Sequence, residues 1–133
     1  MSAAEPFFDT NVLLYLLSAD TAKADRAESL LADGGTISVQ VLNEFASVAL
    51  RKLEMPIAEL REILEPVRNV CQVEPVTEDT HDRALALVER HGFSFYDAML
   101  LAAALRAGCT RLYSEDLQHG QLIDRQLRIL NPF

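Results

Sequence analysis

The chain has 133 residues, half of them apolar and 24% charged, which suits one ordinary hydrophobic core and excludes a disordered protein. Its formal net charge of −8 argues against nucleic-acid binding through a broad basic surface, because such proteins neutralise phosphates with excess Lys and Arg. The longest apolar run, Ala98 to Leu105, is too short to cross a bilayer, and Met1 to Pro6 lacks the basic and apolar regions of a secretory leader; a soluble cytoplasmic protein is expected.

In chain order, Pro6-Phe7-Phe8 reads as a short buried strand, followed by Asp9-Thr10-Asn11 and an apolar helix from Val12 to Leu17. A second helix starts at Asp20-Thr21 and ends near Asp33, before Gly34-Gly35. Strand two is Thr36 to Ser38. From Val39 to Leu53, apolar residues at 41, 42, 45, 48, 49 and 53 repeat with helical period. Pro56 suits the first turn of another helix reaching about Cys71, and strand three is Gln72 to Val76. Thr77-Glu78-Asp79 opens a helix with a cap and two acids that favour its dipole, and His91-Gly92 closes it. Ser94 to Ala107 is a helix apolar nearly all round, hence buried. Arg111 to Tyr113 is strand four, and Leu127 to Leu130 is a fifth. No repeat or linker interrupts the pattern, so a single domain over 1–133 is expected. Strands alternating with helices predict an α/β/α sandwich around a four- to five-stranded, mostly parallel sheet. Cys71 and Cys109 lack metal-type spacing and read as reduced, inert core thiols.

Four carboxylates stand out, although each has an ordinary reading. Asp9, after strand one, reads equally as a helix N-cap. Glu44 lies more than a turn inside its helix, at the border of the apolar face, where a solvated Glu is common. Asp97 completes a capping-box pattern with Ser94, yet it heads a helix without another charge until Arg106, where an unpaired carboxylate is costly. Asp116, in Ser114-Glu115-Asp116, reads as turn chemistry. Topology joins them. In an open parallel sheet, ligands bind beyond the carboxyl ends of the strands. Asp9 and Asp116 follow such ends directly, and the helices bearing Glu44 and Asp97 both begin there. Four acids sharing a crevice repel one another unless a cation lies between them, and without paired His or Cys the donors are all oxygen, which favours Mg²⁺ or Mn²⁺ over Zn²⁺.

At these residues the chain resembles the PIN-domain nucleases, especially the VapC-type toxin ribonucleases of type II toxin–antitoxin modules. The resemblance rests on Phe-Phe-Asp-Thr-Asn-Val-Leu at 7 to 13, Asn-Glu-Phe at 43 to 45, Tyr-Asp-Ala at 96 to 98 and Tyr-Ser-Glu-Asp at 113 to 116, and it extends over nearly the whole chain. It implies a PIN-like fold in which Asp9, Glu44, Asp97 and Asp116 bind one or two Mg²⁺ or Mn²⁺ ions, supported by hydrogen bonds from Thr10, Asn11 and Ser114. The implied chemistry is hydrolysis of an RNA phosphodiester by a metal-activated water. It further implies a homodimer inhibited by a separately encoded antitoxin. Arg51, Lys52, Arg106 and Arg111 are candidates for local help with phosphate, against their ordinary reading as solvated surface charges. Many members carry another acid two residues beyond the fourth, where this chain has Gln118; this puts a second metal in doubt. Glu115 is expected to point elsewhere, and His119 to serve the turn rather than donate a proton.

Three other readings compete. An aspartyl-phosphate phosphatase or receiver-like domain would place its nucleophile at Asp9, but wants a second Asp where Asn11 stands and a lysine at a later strand end; Lys23 and Lys52 both lie in helices. A PIN-like module that binds RNA or protein without cutting would have no need to keep four repelling acids together. A DNA-cleaving nuclease would use the same metal chemistry.

Overall fold

The computed structural model describes residues 5–133. The absence of a leader expected from Met1 to Pro6 therefore falls largely outside the described residues. Element order is β1 (Phe7–Phe8), α1 (Thr10–Leu14) with a 3-10 turn (Tyr15–Leu17), α2 (Thr21–Ala32), β2 (Gly35–Ser38), α3 (Val39–Arg51), α4 (Ile57–Val70), β3 (Cys71–Glu74), α5 (Glu78–His91), α6 (Phe95–Arg106), β4 (Arg111–Tyr113), β5 (Leu122–Ile123) and β6 (Leu127–Leu130). Among the described residues the sheet has six strands in the order β3-β2-β1-β4-β6-β5, all pairs parallel except β5 with β6. The mostly parallel α/β architecture is as expected, with one more strand than the sequence showed.

The chain leaves β1 towards β2 and β3 on one side, then returns to lay β4 on the other side of β1. Right-handed crossovers running in opposite directions put their helices on opposite faces, so α1 to α4 cover one side of the sheet and α5 and α6 the other. The reversal point lies between β1 and β4, the position at which open α/β sheets hold ligands.

Local chemistry explains the boundaries. Asp20 caps α2 by accepting from the backbone N–H groups of Ala22 and Lys23, and Thr77 with Thr80 forms a reciprocal capping pair at the head of α5. Gly92 ends α5 in the left-handed conformation, at φ 74°. The helix expected over Val12 to Leu17 begins earlier, at Thr10, because Asp9 caps it, and tightens into the 3-10 turn after Leu14. Pro56 is the N-cap of α4 rather than its first residue.

The core is built from both phenylalanines of β1 with Ile37, Leu112 and Ile129 from neighbouring strands, all fully buried. Helix α6 is buried continuously from Ala98 to Ala104, as its unbroken apolar stretch predicts. Gly35 lets β2 approach β1: a Cβ there would lie 2.3 Å from Cε2 of Phe8 and 2.8 Å from the carbonyl oxygen of Pro6. Both cysteines are free and buried; burial pushes the Cys71 thiol up to about 11 and raises that of Cys109, which keeps both as protonated core thiols. No helix among the described residues is long and apolar enough to cross a membrane.

Candidate active site

The turn leaving β1 places Asp9 beyond the sheet's carboxyl edge, and its two oxygens are separately occupied. Oδ1 accepts from the backbone N–H of Thr10 at 2.6 Å, while Oδ2 accepts from the Ser114 hydroxyl at 2.7 Å and the Asn11 amide at 3.2 Å. Parallel pairing of β1 with β4, in the register Phe8 to Tyr113, is what brings Ser114 beside Asp9. Asp9 is the carboxylate whose protonation the site disturbs: burial pushes its pKa up to about 6, the charges of Asp116 and Glu44 add to the rise, and the bonds from Ser114 and Thr10 oppose it.

Ser114 is fully buried and also accepts from the backbone N–H groups of Asp116 and Leu117, at 3.2 and 3.3 Å. This Ser turn aims Asp116 back towards β1. The Asn11 amide donates to Oδ2 of Asp116 at 3.1 Å, and its Oδ1 accepts from the Glu115 N–H at 3.3 Å, so one side chain ties the two loops together. Thr10, buried at the head of α1, donates its hydroxyl to Oε2 of Glu44 at 2.7 Å. The other Glu44 oxygen accepts from Gln40 at 3.1 Å, one helical turn earlier. Gln40 also reaches the Tyr96 carbonyl at 3.4 Å, linking α3 to the head of α6, where Asp97 sits at the third helical position.

The capping-box reading of Asp97 is only half met. Ser94 accepts from the Asp97 N–H at 3.3 Å, but among the described residues the Asp97 carboxylate has no hydrogen-bond partner, so only half of the capping box forms. Its charge stands free at the mouth of a buried helix.

All four acids, with Thr10 and Asn11, line one open cleft of about 390 Å³; Leu14, Ser47, Val48 and Arg51 complete its wall. Among the described residues, no three acidic, His or Cys side chains are already gathered as a ligand cage. The Asn11 amide sits between Asp9 and Asp116, so drawing these acids onto one ion takes side-chain rotation. The donor chemistry nonetheless suits a small hard cation: every candidate ligand is a carboxylate oxygen, Asp97 has no partner among the described residues to give up, and Asp9 is poorly compensated as an anion.

Other sequence candidates lie elsewhere. Glu115 turns away from the cleft, accepting from the Tyr15 hydroxyl and pairing with Lys23 at 3.3 Å; these contacts, the Tyr15 bond first, hold its carboxyl below the usual range. His119 accepts at Nδ1 from the Asn131 N–H at 2.9 Å, a turn contact as expected. Arg106 pairs with Glu74 and Asp79, and Arg111 lies beside Tyr113 on β4; of the four basic candidates, only Arg51 lines the cleft. Gln40 was the residue missed. Its signal was present, four residues before Glu44 on the same helix face.

The PIN-domain family model matches residues 7–122. No curated protein sequence matches the chain. Among solved structures, VapC20 of Mycobacterium tuberculosis, described as a toxin that cleaves the sarcin–ricin loop, is 25% identical, with a TM-score of 0.67 over 84% of this chain and 89% of its own. A toxin–antitoxin complex from Klebsiella pneumoniae matches at 21% identity and a TM-score of 0.70, covering 99% and 98% of the two chains. VapBC2 of Rickettsia felis, bound to a DNA fragment from its promoter, matches at 14% and 0.63 over 93% and 97%. The latter two speak for the fold alone.

Proposed function

The chain belongs to the PIN-domain family, and from that membership together with its acidic cleft we propose that it is a divalent-metal-dependent endoribonuclease, the toxin of a type II toxin–antitoxin pair. The observation that carries the reading is that Asp9, Glu44, Asp97 and Asp116, from four separate segments, line one cleft beyond the carboxyl ends of β1 and β4. These four would hold Mg²⁺ or Mn²⁺. When bound, such an ion lowers the pKa of a coordinated water and stabilises charge developing on the phosphate.

The protein's own contribution is orientation. Ser114 and Asn11 fix the Asp9 carboxylate from one side and the Thr10 N–H fixes it from the other. Thr10 and Gln40 hold both oxygens of Glu44, leaving it little rotational freedom. Asp97, unpartnered, is free to turn towards a ligand. With Gln118 in place of a further acid and Glu115 committed to Tyr15 and Lys23, the donors available favour one tightly held ion over two. Residues 1–133 would act as a single PIN domain. An antitoxin encoded separately and a homodimeric state complete the proposal; the likeness to VapC20, described as a toxin, supports the former.

The test compares wild type with Asp97→Asn on a mixed RNA panel, with Mn²⁺ or with EDTA. Asp97 is chosen because its carboxylate bonds to nothing among the described residues, so the variant keeps its circular dichroism spectrum. Cleavage by wild type with Mn²⁺ only, and a loss exceeding the roughly 10–100-fold of an outer-shell change in the variant, is expected. Equal cleavage by the variant, or none by wild type, rejects the assignment.

A further inference from the structure

Helix α3 presents two hydrogen-bond donors to the cleft that have no partner among the described residues. Ser47 and Arg51 both line the opening that holds the four acids. Four residues apart, they share one helix face, about 6 Å apart along the axis. Ser47 is half-buried and Arg51 exposed. Among the described residues neither side chain is hydrogen-bonded, and Arg51 forms no ion pair although four carboxylates share its cleft. A guanidinium in such company that pairs with none of them is left available for an anion from outside.

The electrostatics call for one. A chain of net charge −8 with four acids in its cleft repels every phosphate of an approaching strand. A cation among the acids offsets that repulsion at the scissile phosphate and does little for its neighbours. Arg51 lies seven residues beyond Glu44, about 10.5 Å further along α3, which sets it to one side of the acids and suits it to a phosphate adjoining the scissile one. Backbone cannot supply this charge, since Arg51 stands in the last turn of α3, where the helix end is partially negative and favours the cation itself. Arg51 offers a planar pair of donors to phosphate oxygens, and Ser47 a third donor beside them.

We propose that Ser47 and Arg51 form a subsite for a non-scissile phosphate of the RNA strand. The inference rests on the nuclease reading above and adds a substrate-binding position to it. The subsite sets strand register: it holds the backbone on one side of the metal-binding acids, so that the bond to be cut lies over them.

The test measures binding of a fluorescent single-stranded RNA to the cleavage-impaired Asp97→Asn protein across a salt series, with and without Arg51→Ala, Arg51→Lys or Ser47→Ala. Arg51→Ala should weaken binding about tenfold and reduce the slope of log K against log salt by about 0.7, the value of one phosphate contact on a single strand. Arg51→Lys should restore the slope and most of the affinity; Ser47→Ala should weaken binding about threefold and leave the slope alone. In the active background, Arg51→Ala should raise KM by the same tenfold factor with kcat changed less than threefold. Circular dichroism confirms that each variant is folded. Unchanged affinity and slope in Arg51→Ala overturn the subsite, as does a fall in kcat at constant KM, or weakened capture of a partner protein with RNA binding intact. Wild type that cuts no RNA defeats the nuclease reading; wild type that cuts, beside an indifferent Arg51→Ala, defeats the subsite alone.

Discussion

Asp9 keeps its proton to higher pH than an ordinary aspartate because β1 delivers it to a half-buried position facing two other acids. In metal-free protein its carboxyl carbon should titrate by NMR with a midpoint near 6; a midpoint near 4 would show that water reaches it freely. The sign for stability follows. Between about pH 4 and 6 the folded chain holds a proton that the unfolded chain has lost, so this group's contribution to stability falls as pH rises through that window. Above it the ionised carboxylate costs about 3 kcal/mol relative to an exposed one. Proton and cation compete for the same oxygens, so apparent Mn²⁺ affinity should weaken about tenfold per pH unit below 6. The residue scale also separates Asp97 from Asp9: one is held by three donors, the other by none, a difference that identical side chains in a sequence do not show.

At the level of elements, the cleft depends on how closely β1 and β2 run. Gly35 sits against Phe8, which is fully buried and has nowhere to turn, and against a backbone carbonyl that cannot move without its strand. Gly35→Ala should therefore cost about 1–3 kcal/mol in urea unfolding by overpacking. An unchanged midpoint would mean that the strands slide apart freely. Strand β5, which pairs antiparallel with the expected strand β6, is the element that sequence reasoning missed, and the reason is local. The turn between the two places Asp124 and Arg125 at φ 50° and 59°, with Arg125 where such a turn usually has Gly, and Asp124 is held there by Arg90 and His91 of α5. A two-residue strand carries too little alternation to betray itself. Helices announced themselves far better, since caps at Asp20, Thr77 and Ser94 and the stop at Gly92 are chemical features of single residues.

For the whole molecule the governing quantity is charge. With a net charge of −8 and four acids facing one opening, the metal-free protein stores repulsion that a divalent cation relieves. Mn²⁺ should raise Tm by several degrees, corresponding to roughly 2.7 kcal/mol at a hundredfold excess over Kd, and by more at pH 7.5 than at pH 5, where Asp9 is largely protonated. An equal rise at both pH values would place the cation elsewhere, and no rise would leave the cleft without a metal role. The fold makes the convergence unavoidable: a sheet whose chain order reverses between β1 and β4 brings both adjoining loops to one edge, and right-handed crossovers bring the heads of α3 and α6 there too.

Taken alone, the sequence determined the alternation of strands and helices, the parallel sheet and the four acids as a group, because periodicity, capping chemistry and crossover handedness are local or topological rules that a linear chain obeys. It also held the family resemblance, carried by short motifs around those acids. Only the tertiary structure decided which acids are tied and which is free, that Glu115 belongs to Tyr15 and Lys23, that Gln40 braces Glu44, and that one arginine of four candidates faces the cleft. Those outcomes turn on side-chain direction and on distances between segments far apart in sequence, where a rotation of one bond changes a residue's partner without altering any pattern along the chain.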